Sequence, residues 1–442
     1  MKENILVIQQ HFYPEIAATG QLLLDLCGDL VKAGYQVKVI TGNPTEIPQE
    51  IQRRNILRKE NYQGIEIVRL KNTTFNKYRM AGRVLNYLTF HFLVFSRVLF
   101  CERPDLVFVL STPPFISFSG LMLKMFKRSK VIYNVQDLFP DLAVELDKLK
   151  NKQFIRFLKK LSKLIVRKAD KVVVVGEYME RKIREELLQE TRASVGVSTD
   201  AVTGRNVGSN EHIITIHNWA DGEKIKVLGD EDVVTTDGSE DMENNYLKKK
   251  WGLERKFVVL YSGNIGYLHE FGTIILAAED IQNKGYKDII FVFIGEGIKK
   301  EYIENMVEEK GLNNILFFPY QPREMLTYSL GIADVSLVTL VEGFEGMVVP
   351  SKIYGILASG RTMIGIVGRD SEINEIIREG RCGRIVKIGD GKALSGAVIE
   401  YYKNPQKCRE EGMNGRKYFE KNFDRKIATG KYIKVIEEAL KS

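Results

Sequence analysis

The chain is poor in the residues that carry metal, redox and hydrolytic chemistry. Its four cysteines, Cys27, Cys101, Cys382 and Cys408, stand far apart, with no C-x-x-C pair and no histidine at ligand spacing. Neither a zinc site nor a disulfide framework is expected, and a reducing cytosol fits best. The five histidines form no H-x-x-x-H or H-E-x-x-H pattern, and there is no G-x-S-x-G elbow or Walker loop. Metallohydrolase, serine hydrolase and P-loop NTPase chemistries therefore lack their residues. A hydrophobic signal region is missing as well: Met1 to Asn4 passes straight into Ile5-Leu6-Val7-Ile8, so export by that route is not expected. One apolar segment, residues 84–100, is slightly short for a membrane span and is interrupted by Asn86, His91 and Arg97. With Arg79, Arg83 and Arg103 around it, the segment reads either as a helix buried on a sheet or as one lying among lipid headgroups.

What is present points to an ordered α/β protein. With 442 residues, of which 44% are hydrophobic, the chain exceeds what one core organises, so two domains are expected. Its 65 Lys and Arg against 57 Asp and Glu give a net charge of +8, which favours a polyanionic partner: phosphorylated sugar, anionic lipid or nucleic acid.

Short β-branched runs alternate with helical patterns at 4–10, 35–41, 65–70, 105–110, 130–135 and 171–176. A second series begins after residue 212, at 214–218, 257–263, 288–295, 315–319, 335–340, 362–368 and 383–388. Strand, helix, strand repetition of this kind predicts parallel sheets covered on both faces, hence two Rossmann-like halves. Residues 190–210 and 229–245, rich in Ser, Thr, Gly, Asp and Glu, read as loops or insertions. A final helix is expected from about Arg425 to Leu440, and its periodicity does not choose the domain it docks on.

Ligands of open parallel sheets bind beyond the carboxyl ends of the strands, so the loops after strands hold the candidates. The first is His11 to Gly20, whose small residues lead into a helix. In the second half Gly263-Asn264-Ile265-Gly266 and Gly295-Glu296-Gly297 each end a strand, and their repetition favours phosphate or nucleotide contact. Val349-Pro350-Ser351-Lys352 opens a helix. Ser351 is placed to cap it, and Lys352 adds a positive charge that opposes the macrodipole unless an anion shares the site. Asp137 and Asp141 follow the 130–135 strand; Asp137 is placed to orient or deprotonate a hydroxyl, and Asp141 reads as a helix N-cap. Asp230-Glu231-Asp232 has D-x-D spacing but sits in an acidic low-complexity stretch and reads as a solvated charge run.

Taken together, FYPEIAATGQLLLDL (12–26), QDLFPDLAVEL (136–146), HNWAD (217–221), YSGNIG (261–266), FVFIGEG (291–297) and VPSKIYGILASGR (349–361) resemble the GT-B glycosyltransferases of family four, in their bacterial polysaccharide and O-antigen branch. The resemblance implies two Rossmann-like domains facing across a cleft. Residues 1–212 would be the acceptor side and 213–424 the nucleotide-sugar side, with a C-terminal helix at 425–442 that packs back on the first domain. It further implies a UDP-sugar donor, a saccharide acceptor, either polyprenyl-diphosphate-linked or another saccharide, retention of configuration, and no metal or other cofactor. Nucleic acid is not an expected partner, and the expected location is the cytoplasm or the inner face of the cell membrane.

By the family pattern, Gly266 and Lys352 would meet the diphosphate, with Asn264 and Ser351 beside them. Tyr320 and Gln321 would edge the base, Glu372 would lie near the ribose or sugar, and Thr19 and Gly20 would close over the phosphates. The family's glutamate pair maps to Met347 and Gly355, with only Glu345 near the first position, and Tyr267 to Glu270 replace its usual Arg and Lys. Its usual N-domain histidine maps to Gln136. Lys352 is thus the main candidate cation, and Asp137 and Glu15 are the candidate catalytic carboxylates. Two competing readings are a UDP-sugar epimerase of the same fold and a non-catalytic partner of a polysaccharide assembly complex.

Overall fold

A computed structural model of the chain describes residues 3–15, 17–44, 58–75, 80–195, 211–228 and 246–442. The D-x-D triplet, residues 196–210 and residues 229–245 lie outside them, as does Arg79. The chain divides into two compact units, Met1–His217 with Gly346–Val348 and Ala428–Ser442, and Asn218–Glu345 with Val349–Ile427.

The first unit contains β1 (Asn4–Ile8), α1 (Ala18–Lys32), β2 (Gln36–Thr41), β3 (Lys59–Tyr62), β4 (Ile65–Arg69), α2 (Met80–Leu99), β5 (Leu106–Leu110) and α3 (Phe118–Lys127). It continues with β6 (Lys130–Val135), α4 (Asp141–Glu145), α5 (Lys152–Lys168), β7 (Lys171–Val174), α6 (Glu177–Val195) and β8 (Ile213–Thr215). The strands form one sheet in the order β3-β4-β2-β1-β5-β6-β7-β8, parallel except for β3. Every residue of β5 is buried, which explains the unbroken apolar run: with helices on both faces, neither side of the pleat meets water.

Three expectations are corrected here. Residues 214–215, read as opening the second series, belong to β8, which pairs in parallel with β7 in the first sheet. Residues 190–195, read as loop, continue α6, because Glu, Thr, Arg and Ala there are compatible with helix. Asp141 is not an N-cap: Pro140 holds that position, and the Asp141 carboxylate takes the Lys159 ammonium at 2.5 Å.

The second unit contains α7 (Tyr246–Lys250), β9 (Phe257–Ser262), α8 (Gly272–Asn283), β10 (Ile289–Ile294), α9 (Lys300–Glu309), β11 (Ile315–Phe318), α10 (Leu326–Gly331) and β12 (Val335–Thr339). After these come α11 (Lys352–Ala358), β13 (Thr362–Ile366), α12 (Glu372–Gly380), β14 (Gly383–Val386), α13 (Gly391–Lys403) and α14 (Pro405–Asn422), and the unit ends in the first turn of α15 (Arg425–Lys441). Its sheet is wholly parallel, β11-β10-β9-β12-β13-β14. Alternate residues of β9 enter opposite cores: Val259 and Tyr261 pack with Phe291 and Leu337, whereas Val258 and Leu260 pack with Val292 and Ile332. Two full cores on one sheet fix its register, since a one-residue slip would exchange every side chain between them.

From Ala428 onward α15 belongs to the first unit. There Tyr432 packs edge-on to Phe108, with ring centroids 5.8 Å apart, and its hydroxyl accepts a hydrogen bond from Asn134 Nδ2 at 2.7 Å.

Candidate functional site

In the second unit the candidate residues gather where β9 ends. Gly263 follows the strand with φ +136°, a conformation glycine adopts without strain, and its amide donates to Ile294 O at 2.9 Å. A side chain here would also meet Lys352, because a Cβ on Gly263 would stand 3.2 Å from both Cε and Nζ of that lysine. Ile265 N–H donates to Glu296 O at 2.9 Å, which ties the Gly263–Gly266 turn to the Gly295–Gly297 turn beyond β10.

Lys352 is the first residue of α11, and its side chain runs inward. Its Nζ is buried, has no hydrogen-bond partner among the described residues, and stands 3.5 Å from the centre of the Tyr261 ring. Tyr261 is positioned in turn by its hydroxyl, which donates to Asn264 O at 2.7 Å. Burial holds the Lys352 amine well below its ordinary value. The ring face supplies some attraction for a cation, but it does not replace the three hydrogen bonds an ammonium makes in water.

His269 adds a neutral wall to this site. Its Nδ1 lies 2.8 Å from Thr339 O, a pure acceptor, so Nδ1 carries the proton. Burial first, and then the charge of Lys352, hold the imidazole down to about 3. Lys299, one residue ahead of α9, donates to His269 O at 3.0 Å. Glu345 also turns inward: Oε2 accepts from Gly343 N–H at 2.8 Å, while buried Oε1 has no partner among the described residues.

The remaining second-unit candidates are distributed around this turn. Asn264 is exposed and Gly266 buried, and a Cβ on Gly266 would come within 2.7 Å of the Asn264 amide nitrogen. Tyr320 and Gln321 follow β11, the strand next to β10; Tyr320 is half exposed, and Gln321 Nε2 donates to Pro319 O at 2.9 Å. Glu372 is buried at the start of α12. Ser351 occupies the N-cap of α11 but makes no side-chain cap bond, which corrects the expected cap; its backbone is already helical, the wrong geometry for that contact. No role was read from sequence for Tyr261, His269 or Lys299: Tyr261 lies near the end of β9 under the Lys352 head, His269 lies in the loop after it, and Lys299 reaches His269 from the start of α9.

The first-unit candidates are described on their own terms. Glu15 is buried and engaged, with Oε2 2.7 Å from His11 Nδ1. Thr19 and Gly20 lie in the first turn of α1, where a Cβ on Gly20 would come within 3.1 Å of His11 O. Asp137 follows β6. Burial raises its carboxyl to about 6, against the lowering effect of the Thr112 hydroxyl at 3.5 Å.

One sheet parallel except for β3 and one wholly parallel, with glycine turns and a buried amine at the carboxyl edge of the second, define a doubly wound α/β architecture whose ligands bind beyond the strand ends. Two family models match the chain: Glycosyltransferase Family 4 over residues 19–195 and Glycosyl transferases group 1 over residues 244–418. The chain belongs to the family-four glycosyltransferases of the GT-B fold. It is similar to the probable glycosyltransferase WbjE of Pseudomonas aeruginosa, 26% identical over 74% of this chain and 73% of that protein. It is also similar to the putative colanic acid biosynthesis glycosyl transferase WcaI of Escherichia coli, 23% identical over 84% and 85%. Among solved structures, Anabaena HepE in complex with UDP and glucose superposes with a TM-score of 0.67 at 14% identity, covering 99% of this chain and 100% of that one. Sucrose-phosphate synthase from Thermosynechococcus elongatus gives 0.71 at 14% identity over 99% of both.

Proposed function

We propose that this glycosyltransferase takes a sugar from a UDP-type nucleotide donor and places it on a saccharide hydroxyl in bacterial surface polysaccharide synthesis, with retention and without a metal. The observation that carries the donor site is Lys352: a buried amine with no partner among the described residues, set against a glycine turn and an aromatic ring. An unpartnered buried cationic group is destabilising, and an anion seated beside it relieves that cost.

A leaving diphosphate gains negative charge as the glycosidic bond breaks, so a cation fixed in a water-poor pocket stabilises the transition state more than the ground state. The Lys299 ammonium, held on His269 O, adds positive charge beside the imidazole that flanks this site. Tyr320 and Gln321 border the base, and Glu345 and Glu372 supply acceptors for ribose or sugar hydroxyls. The acceptor hydroxyl, lipid-linked in this reading, attacks the face from which UDP departs; the leaving phosphate takes its proton, with Asp137 as the protein carboxylate available for the same task.

The names and complexes of the relatives support the polysaccharide and UDP parts of this reading. The test is incubation of the chain with a panel of UDP-sugars, with and without polyprenyl-diphosphate-linked saccharides. UDP release that requires acceptor, with the anomeric configuration kept in the product, is the expected result. Interconversion of UDP-sugars without acceptor would overturn it.

A further inference from the structure

The second unit holds a cavity at the edge of its sheet opposite the Gly263 turn. Its walls come from the amino ends of three strands and from α14: Phe257 opens β9, Asp334 precedes β12, Thr362 opens β13, and Cys408 and Met413 lie on the helix. The volume is about 200 Å³. Native cores leave few voids larger than a water, and roughly 150 Å³ of apolar space already admits benzene. Val227 and Met413, both exposed, stand at the opening.

Arg361 brings a positive charge to these largely apolar walls. One of its guanidinium nitrogens donates to Leu228 O at 2.9 Å, which fixes the group in place, and its Nε is buried with no partner among the described residues. No carboxylate among the described residues forms an ion pair with it. Asp334, the acidic residue of the described lining, is engaged elsewhere: its carboxylate accepts from Val258 N–H at 2.7 Å and lies 3.5 Å from the Lys248 ammonium. The Cys408 thiol donates to Asp334 O at 3.1 Å, and burial pushes it up to about 12, so it remains a neutral part of the wall.

We propose that this cavity is a second small-molecule site, which takes a small organic anion with its acidic group on the Arg361 guanidinium and its apolar body against Phe257 and Met413. Charge and lining together select the class. A neutral apolar molecule would leave the guanidinium without an anion, and an inorganic ion would leave the apolar walls wet, whereas a compact carboxylate or phosphate ester satisfies both. The site stands independently of the donor reading. It lies at the amino edge of the sheet, and α11 runs between the two places in sequence, with Lys352 at its start and Gly360 and Arg361 just past its end.

The test is a ligand-observed NMR titration of the full chain with benzoate as the probe. Acetate, which has the charge without the ring, and benzyl alcohol, which has the ring without the charge, should each bind at least about tenfold more weakly. Arg361→Met, which keeps an apolar stem, and Val227→Trp, which adds bulk at the opening, should each weaken benzoate binding by about tenfold or more, with far-UV circular dichroism unchanged. Excess UDP should leave benzoate in place, because the Gly263 turn lies at the other edge of the sheet. No binding of benzoate, equal binding of either control, displacement by UDP, or binding untouched in either folded variant overturns the proposal.

Discussion

Replacing Lys352 by Met separates a ligand-binding role from a structural one by the signs of two effects. The stem of Met fills much of the space along Tyr261, so the substitution removes a buried nitrogen that has no partner while keeping apolar contact. Relief of that unpaired group should stabilise the ligand-free chain by roughly 1–3 kcal/mol, seen as a rise in melting temperature. The same change deletes a charge-assisted bond to diphosphate, worth roughly 1.5–3 kcal/mol, so titration calorimetry should show UDP binding about 10- to 150-fold weaker. A lysine that serves only to fill the core gives the opposite pattern, a lower melting temperature and unchanged UDP affinity. That outcome would refute the reasoning.

Proton linkage offers a check on the wild-type chain. Burial lowers the amine's pKa, and a bound diphosphate raises it again, so binding above the ligand-free pKa should draw in a proton. Calorimetry in buffers of different ionisation heat should register that uptake, and UDP affinity should fall as pH rises through the window. For the ligand-free fold the sign is reversed. The unfolded lysine holds its proton up to its ordinary 10.5, so this group makes the folded state more stable as pH climbs toward that value.

Asp137→Asn should stabilise the chain by about 1–3 kcal/mol above pH 6 and by little below about 4, because a carboxyl raised from 3.8 to about 6 penalises the fold only once ionised; melting curves across that range check it. If Asp137 helps take the acceptor's proton, the same variant should lose transfer and keep UDP binding. His269→Gln should flatten the acid limb of stability between pH 6.5 and about 3, where the wild-type imidazole stays neutral in the fold but is protonated when unfolded. Gly263→Ala should cost roughly 1–2 kcal/mol and weaken UDP binding, since its φ of +136° is strained for alanine and the new Cβ presses on the Lys352 head. Tyr432→Phe should destabilise by about 1–3 kcal/mol in denaturant titrations, as it strips Asn134 Nδ2 of its buried acceptor.

Most strands were legible because both faces of each sheet are covered, and a strand buried on both sides must be apolar throughout, as Leu106–Leu110 and Ile289–Ile294 are. The failures have physical causes. Lys59–Tyr62 is an antiparallel edge strand of Lys, Glu, Asn and Tyr with no apolar run to betray it. Ile213–Thr215 was assigned to the wrong sheet because three β-branched residues look alike wherever they pair. Lys352 could be found from sequence, since the oddity of a cation opening a helix is written in consecutive residues. Its surroundings could not: Tyr261 lies against it from the end of β9, and His269 is held beside it by Thr339 O at the end of β12, so only folding makes these segments neighbours.

The same geometry explains why the site is costly to the fold and useful to the enzyme. Natural cores pair their buried ionisable groups, yet Lys352 Nζ and Glu345 Oε1 both sit buried in the second unit without partners among the described residues. Different contacts position the two side chains. Gly343 N–H holds Glu345 by its other oxygen, while α11 and the Tyr261 ring direct Lys352 toward the Gly263 turn. An unpartnered amine and an unpartnered carboxyl oxygen in a protein interior are complementary to something that carries both an anionic phosphate and hydroxyl donors. Under the proposed function the nucleotide sugar supplies both, and the stability forgone in the ligand-free chain would return on binding as affinity and preorganisation.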